Sequence, residues 1–165
     1  MMHDFINSDK SENLITTEDD RPVLFLDLDE TLVCSKDYPT IIVRPGIRHF
    51  LRLMSTTYKM NIFSHGKKSY VMEVAKLLDP RKMFFSEIYS REHCDMLRQD
   101  PVKNLDKFSS NLEKTVLPRN LIMVKAFNGS LSDHTLMNLG KILMELSHYK
   151  NFQDFIHQCV QEVVE

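Results

Sequence analysis

Two aspartates spaced one residue apart, at the end of an apolar run, are the side chains in this sequence best arranged for chemistry. They lie in Leu26-Asp27-Leu28-Asp29-Glu30-Thr31-Leu32-Val33, directly after Val23-Leu24-Phe25. Side chains alternate along a strand, so Asp27 and Asp29 project to one side, one pleat apart. In an open parallel sheet, ligands bind beyond the carboxyl ends of the strands. Two adjacent anions leaving water there repel each other unless a cation neutralises them. Oxygen ligands suit Mg2+, which takes one or two carboxylates, several waters and a phosphate. With the negative charge shielded, one carboxylate can attack phosphorus and form an aspartyl-phosphate. The other can protonate the leaving oxygen and then deprotonate the attacking water. A lone Asp-x-Asp more often opens and caps a loop. The apolar strand before this pair and the Glu-Thr-Leu-Val after it favour the chemical reading.

Other groups could join the pair. Ser64 ends the run Met60-Asn61-Ile62-Phe63, where a hydroxyl and the amides after it can donate to a phosphoryl oxygen. Standing alone it reads as an exposed turn serine. Lys103 alone reads as a solvated residue of an amphipathic helix. Lys67 and Lys68 form an exposed first-turn pair that would attract a phosphorylated substrate. The seven histidines show no metal-ligand spacing, and His93-Cys94 reads as part of a loop.

Elements that could position these residues follow along the chain. Residues 23–28 form a nearly continuous apolar run, as in a strand covered on both faces. Ile41-Ile42-Val43 is a second short β-like run, closed by Arg44-Pro45-Gly46. Ile47, Phe50, Leu51 and Met54 then recur at helical spacing. After the strand at 60–64, Val71, Val74, Ala75 and Leu78 share one helical face, and Pro80 ends that helix. Residues 85–90 are the next strand. The spacing of Leu105, Phe108 and Leu112 predicts a helix over 102–114. Residues 115–117 and 121–124 are apolar runs separated only by Pro118-Arg119-Asn120. Two helices follow, one on Leu136, Leu139, Ile142, Leu143 and Leu146 with Ser132 as its N-cap, the other on Phe152, Phe155, Ile156, Cys159 and Val163. The second is a candidate partner surface, although packing on the core is the simpler reading. Strands alternating with helices imply an α/β fold: a Rossmann-like parallel sheet flanked by helices.

Composition sets the limits. The chain has 165 residues, 21 Lys+Arg against 23 Asp+Glu, and a formal net charge of −2. That length accommodates one domain with a substantial core, and the balance argues against direct nucleic-acid binding. No apolar run is long enough to span a membrane. Three cysteines without short spacing exclude a disulfide framework or a cysteine-based zinc site. Residues 1–20 hold six acids against Lys10, a net of −5, which leaves about +3 for residues 21–165. The first stretch reads as a disordered acidic arm without a targeting signal, and the remainder as a single domain.

The motif and its surroundings resemble the haloacid dehalogenase superfamily. Within it, they are similar to the NLI-interacting-factor-like phosphatases acting on the RNA polymerase II carboxy-terminal domain, with their Asp-x-Asp-x-Thr signature. The resemblance implies that Asp27 is the nucleophile and a metal ligand. It implies that Asp29 is the general acid/base and gives its backbone carbonyl to Mg2+, and that Thr31 supports the loop and the phosphate site. Arg44-Pro45-Gly46-Ile47-Arg48-His49-Phe50-Leu51 resembles the family's segment opening its first helix. Ser64 falls where the family has a phosphate-binding Thr, and Lys103 where it has its third-motif Lys. Residues 70–80 (YVMEVAKLLDP) are similar to the polymerase-directed branch.

One part of the pattern is missing. The family's fourth motif is an acidic pair after a strand like Thr115-Val116-Leu117, yet no Asp or Glu lies between Glu113 and Asp133. Adjacent parallel strands need a crossover of about a dozen residues. Three residues cannot supply it, so 115–117 and 121–124 cannot both be neighbouring strands. Asp100 and Asp106 are substitutes for the lost ligand only if the fold brings them in. Three accounts follow: an active Mg2+-dependent phosphoprotein phosphatase, a catalytically impaired relative serving as an interaction module, or a truncated form of an active enzyme. Residues 34–40 are too few to form a cap over the site. The expected substrate is therefore a phosphoserine- or phosphothreonine-bearing protein, with the polymerase tail as the leading candidate and the nucleus, or else the cytoplasm, as the compartment.

Overall fold

A computed structural model of the chain describes residues 19–98, 100–105 and 122–149. Its centre is a three-stranded parallel sheet in the order β1-β4-β5. These strands are β1 (Val23–Leu26), β4 (Lys59–Phe63) and β5 (Phe85–Tyr89). Val23 pairs with Lys59 and Leu26 with Ile62, so β1 and β4 run in step. The β4–β5 register shifts between Met60 and Asn61. There the buried Asn61 Oδ1 accepts the Glu87 amide at 3.2 Å.

Each crossover is a helix with one apolar face. α1 (Ile47–Ser55) links β1 to β4 and buries Ile47, Phe50, Leu51 and Met54. It is entered through Gly46 at φ +82°, a left-handed conformation that suits glycine. α2 (Lys68–Leu78) links β4 to β5 and buries Val71, Val74, Ala75 and Leu78. α3 (Thr135–Leu146) packs against α1 through Leu136, Leu139 and Leu143, with Gly140 facing Phe50 and Leu53. These side chains form one core with Leu26, Leu28, Leu32 and Ile62. Two short hairpins complete the described fold: β2 (Val33–Cys34) with β3 (Ile42–Val43), and β6 (Asp95–Leu97) with β7 (Asp100–Val102). No helix among the described residues is long and apolar enough to cross a membrane.

The α/β architecture matches the sequence expectation, and so does the absence of a substantial cap after the first motif, where residues 35–41 only turn the β2–β3 hairpin. Two local expectations need correction, and one open alternative is settled. Val102 and the residues before it close a hairpin, so no helix starts there. Residues 122–124 belong to no strand, one of the outcomes that the three-residue gap allowed. Ser132 does not cap α3, which starts at Thr135, where the Asp133 carboxylate accepts the Thr135 amide at 3.0 Å. Ser132 instead shares a hydrogen bond with the Ser130 hydroxyl. Residues 1–18 of the acidic arm, the run 115–117, Asp106 and the helix expected over 152–163 lie outside the described residues.

Candidate active site

β1 delivers Asp27 to the carboxyl end of the sheet, and the chain then closes a tight loop. The Leu28 carbonyl accepts the amides of Thr31 (3.2 Å), Leu32 (2.8 Å) and Val33 (3.1 Å). That closure needs Glu30 in a left-handed conformation, φ +59°. The loop is fixed from outside by Arg44, whose side chain is fully buried. Its Nη1 donates to the Thr31 carbonyl at 2.9 Å and its Nη2 to the Lys125 carbonyl at 2.8 Å. Two further bonds, at 2.8 and 2.9 Å, clasp the Asp133 carboxylate. The Phe127 ring lies 5.3 Å beneath the guanidinium, and the Phe127 amide donates to the Glu30 carbonyl at 2.7 Å. Arg44 holds the Asp133 carboxyl below the usual range, ahead of the opposing effect of burial.

Asp27 is well exposed, 43% at the side chain. Its Oδ1 accepts the Leu28 amide at 2.9 Å and pairs with Lys103 Nζ at 2.8 Å. Oδ2 has no partner among the described residues. Lys103 arrives from the end of β7, not from a helix, and its ammonium lies 5.9 Å from the centre of the Phe63 ring. Asp29 is held differently. Its Oδ1 accepts the Ser35 hydroxyl at 2.7 Å and the Tyr70 phenol. Burial and then this bond to Asp29 push the Tyr70 phenol up to about 12. Tyr38, on the β2–β3 turn, stands edge-on to Tyr70 at 5.6 Å and donates to Glu73 at 3.0 Å.

Ser64 is not the exposed turn serine that its sequence alone suggests. It is buried at the end of β4. Its hydroxyl accepts the Gly66 amide at 2.9 Å and donates to nothing among the described residues. Thr31 contributes its carbonyl to Arg44, and it lines a cavity of about 290 Å³ with Asp27, Lys103 and apolar side chains of β1 and α3. Of the expected residues, Asp27 and Lys103 are in contact, Thr31 shares their cavity, and Asp29 sits on the same loop. Lys67 and Lys68 are exposed at the start of α2.

Sequence reasoning missed Ser35, Tyr70 and His65. A serine six residues beyond Asp29 comes back to it only because the loop closes so tightly. Tyr70 reaches Asp29 from a separate element, and no local pattern announces that. His65 follows Ser64. Its imidazole is held below its ordinary value by burial and then by the Lys103 charge, with Asp27 opposing.

The Asp27 carboxylate and the Asp29 carbonyl offer hard oxygens, which fit Mg2+. A third protein ligand is not found among the described residues, where no cluster of three or more His, Cys, Asp or Glu is arranged to hold a metal. Asp133, the first acid after Glu113, is committed to Arg44. Asp100 is exposed in β7.

Comparison with known proteins bears on the family and the fold. The sequence profile of the NLI interacting factor-like phosphatases matches residues 22–155. CTD small phosphatase-like protein 3 of Caenorhabditis elegans is 32% identical over 123 residues, covering 63% of this chain and 43% of that protein. An RNA polymerase II C-terminal domain phosphatase of Schizosaccharomyces pombe is 38% identical over 63 residues, covering 38% of this chain and 9% of that protein. The chain thus spans less than half the length of either relative. Among solved structures, the fission yeast RNA polymerase II CTD phosphatase Fcp1 bound to beryllium fluoride superimposes with a TM-score of 0.55 at 18% identity. That match covers 84% of this chain and 54% of Fcp1, and it supports the fold.

Proposed function

The chain belongs to the NLI interacting factor-like phosphatases, and on that premise we propose that it is a Mg2+-dependent phosphoprotein phosphatase working through an aspartyl-phosphate on Asp27. The observation that carries the reading is the pairing of Asp27 Oδ1 with Lys103 at 2.8 Å while Oδ2 has no partner among the described residues, beside an Asp29 carboxyl oriented by Ser35 and Tyr70. Oδ2 attacks phosphorus, the bond from phosphorus to the seryl or threonyl oxygen breaks, and that oxygen takes the proton from Asp29. Water then attacks the aspartyl-phosphate, giving its proton back to Asp29 and releasing phosphate and the Asp27 carboxylate. Ser64 offers its hydroxyl proton to a phosphoryl oxygen, and Lys103 balances the charge gathering there. Mg2+ would be held by the Asp27 carboxylate and the Asp29 carbonyl, and would supply further charge neutralisation.

Several features favour an extended phosphoserine or phosphothreonine segment over a metabolite. Only the 35–41 turn stands between the motif and β3, and the S. pombe relative is named for acting on the polymerase C-terminal domain. The polymerase tail is accordingly the proposed substrate and the nucleus the proposed compartment. The test is hydrolysis of an aryl phosphate and a phosphoserine peptide, with and without Mg2+, by the chain and by Asp27→Asn. Mg2+-dependent turnover lost in Asp27→Asn supports the enzyme. The absence of acids between Glu113 and Asp133 favours a second reading, an impaired phosphatase used as a binding module. No turnover alongside retained phosphopeptide binding would select that reading.

A further inference from the structure

A second cavity, of about 370 Å³, lies between α1 and the turn that follows α2 and leads into β5. Three arginines line it: Arg48 and Arg52, one turn apart on α1, and Arg81 from the turn. All three side chains are exposed, and none makes an ion pair or hydrogen bond among the described residues. Like charges four residues apart weaken a helix, and Arg81 brings a third to the same cavity. The carboxylate in the cavity wall makes no ion pair with them. Asp79 is buried and accepts the amides of Met83 (2.8 Å), Phe84 (2.7 Å) and Phe85 (3.1 Å), which shapes the turn and occupies both its oxygens. Leu78 and Phe84 add apolar surface.

We propose that this cavity docks a second phosphorylated residue of the phosphoprotein on which the Asp27 loop acts. Guanidinium forks match phosphate oxygens two at a time, and three unpaired ones can envelop a dianion. The identity of the occupant rests on the phosphatase reading; the anion site does not. Asp27 stands at the carboxyl ends of the strands, whereas the turn that walls this cavity leads into the start of β5. A strand of five residues such as β4 spans about 17 Å. A substrate carrying phosphates roughly six to ten residues apart can therefore engage both places.

The test uses the full chain carrying Asp27→Asn and fluorescent peptides with one phosphoserine or with two, eight residues apart. Anisotropy should show the doubly phosphorylated peptide binding about tenfold more tightly. Arg52→Gln and Arg81→Gln should each remove most of that gain, Arg52→Lys should restore part of it, and 0.5 M NaCl should reduce it. In the chain retaining Asp27, Arg52→Gln should leave aryl phosphate hydrolysis unchanged. Equal affinity for the two peptides, or a gain insensitive to the arginine variants, would overturn the proposal. A persistent gain in a chain without Asp27-dependent hydrolysis would keep the site and remove the phosphatase reading. Hydrolysis without the gain would do the reverse.

Discussion

Both contacts of Asp27 fall on one oxygen, and the stronger of them is the Lys103 ammonium. Lys103→Met keeps much of the stem and removes the charge. We expect kcat on an aryl phosphate to fall about 10²–10³-fold, the scale seen when one preorganised stabilising group is lost. An unchanged kcat would detach Lys103 from the reaction. Asp133 is a stability residue. Asp133→Ala leaves the Arg44 charge buried without its counterion, which costs about 3–5 kcal/mol and is measurable by urea unfolding. Because Arg44 lowers the Asp133 carboxyl in the folded chain, the pair's contribution is fully present above the unfolded carboxylate value of about 3.9. It drains away as pH falls through the lower folded value. The gap between the chain and Asp133→Asn should accordingly be constant from pH 7 to 5 and shrink below pH 4; a gap that widens in acid would contradict this. Asp27, Asp29, Thr31, Ser64 and Lys103 were legible as candidates from the sequence. Ser35 and Tyr70 were not, because each meets Asp29 through tertiary closure and belongs to no spacing rule.

Among the elements, α1, α2, β1 and β4 could be read directly, since the helices bury one periodic face and the strands are nearly continuous apolar runs covered on both sides. The β6–β7 hairpin could not. Its strands have three residues each, mix charge with apolar side chains, and include Pro101, which weakens any strand prediction. Yet this hairpin, and no helix, brings Lys103 to Asp27. The β4–α2 corner makes a sharper prediction. A Cβ on Gly66 would stand 2.8 Å from Tyr70 Cδ1 and 3.0 Å from Val71 Cγ2. Gly66→Ala must push Tyr70 from Asp29, so we expect lost stability of about 1–3 kcal/mol, the usual range for overpacking. Aryl phosphate turnover should fall more than it does in Tyr70→Phe, which removes the hydroxyl without moving the ring. Equal turnover in Gly66→Ala and the unaltered chain would show that the corner has room to spare.

At the scale of the whole molecule, the sheet and its helices surround the proposed metal site, which has no third carboxylate among the described residues. Fewer anionic ligands mean weaker Mg2+ binding. Turnover should still be rising at millimolar Mg2+ and vanish with EDTA; saturation at micromolar Mg2+ would mean that another carboxylate reaches the site. The parallel α/β architecture was legible because apolar runs and helical stripes alternate. The path of residues 122–128 was not. Their apolar character resembles a strand, whereas Arg44 and the Phe127 amide tie them to the loop after β1.

Arg44 has a consequence of its own. A single guanidinium clamps the loop bearing both acids to the stretch that leads into α3, and it uses carbonyls and Asp133 for this, touching neither Asp27 nor Asp29. The clamp is therefore indifferent to whether the chemistry works. A version of this chain silenced at either acid should keep its contours and still hold a phosphate ester, a ready-made decoy that occupies a target without cleaving it.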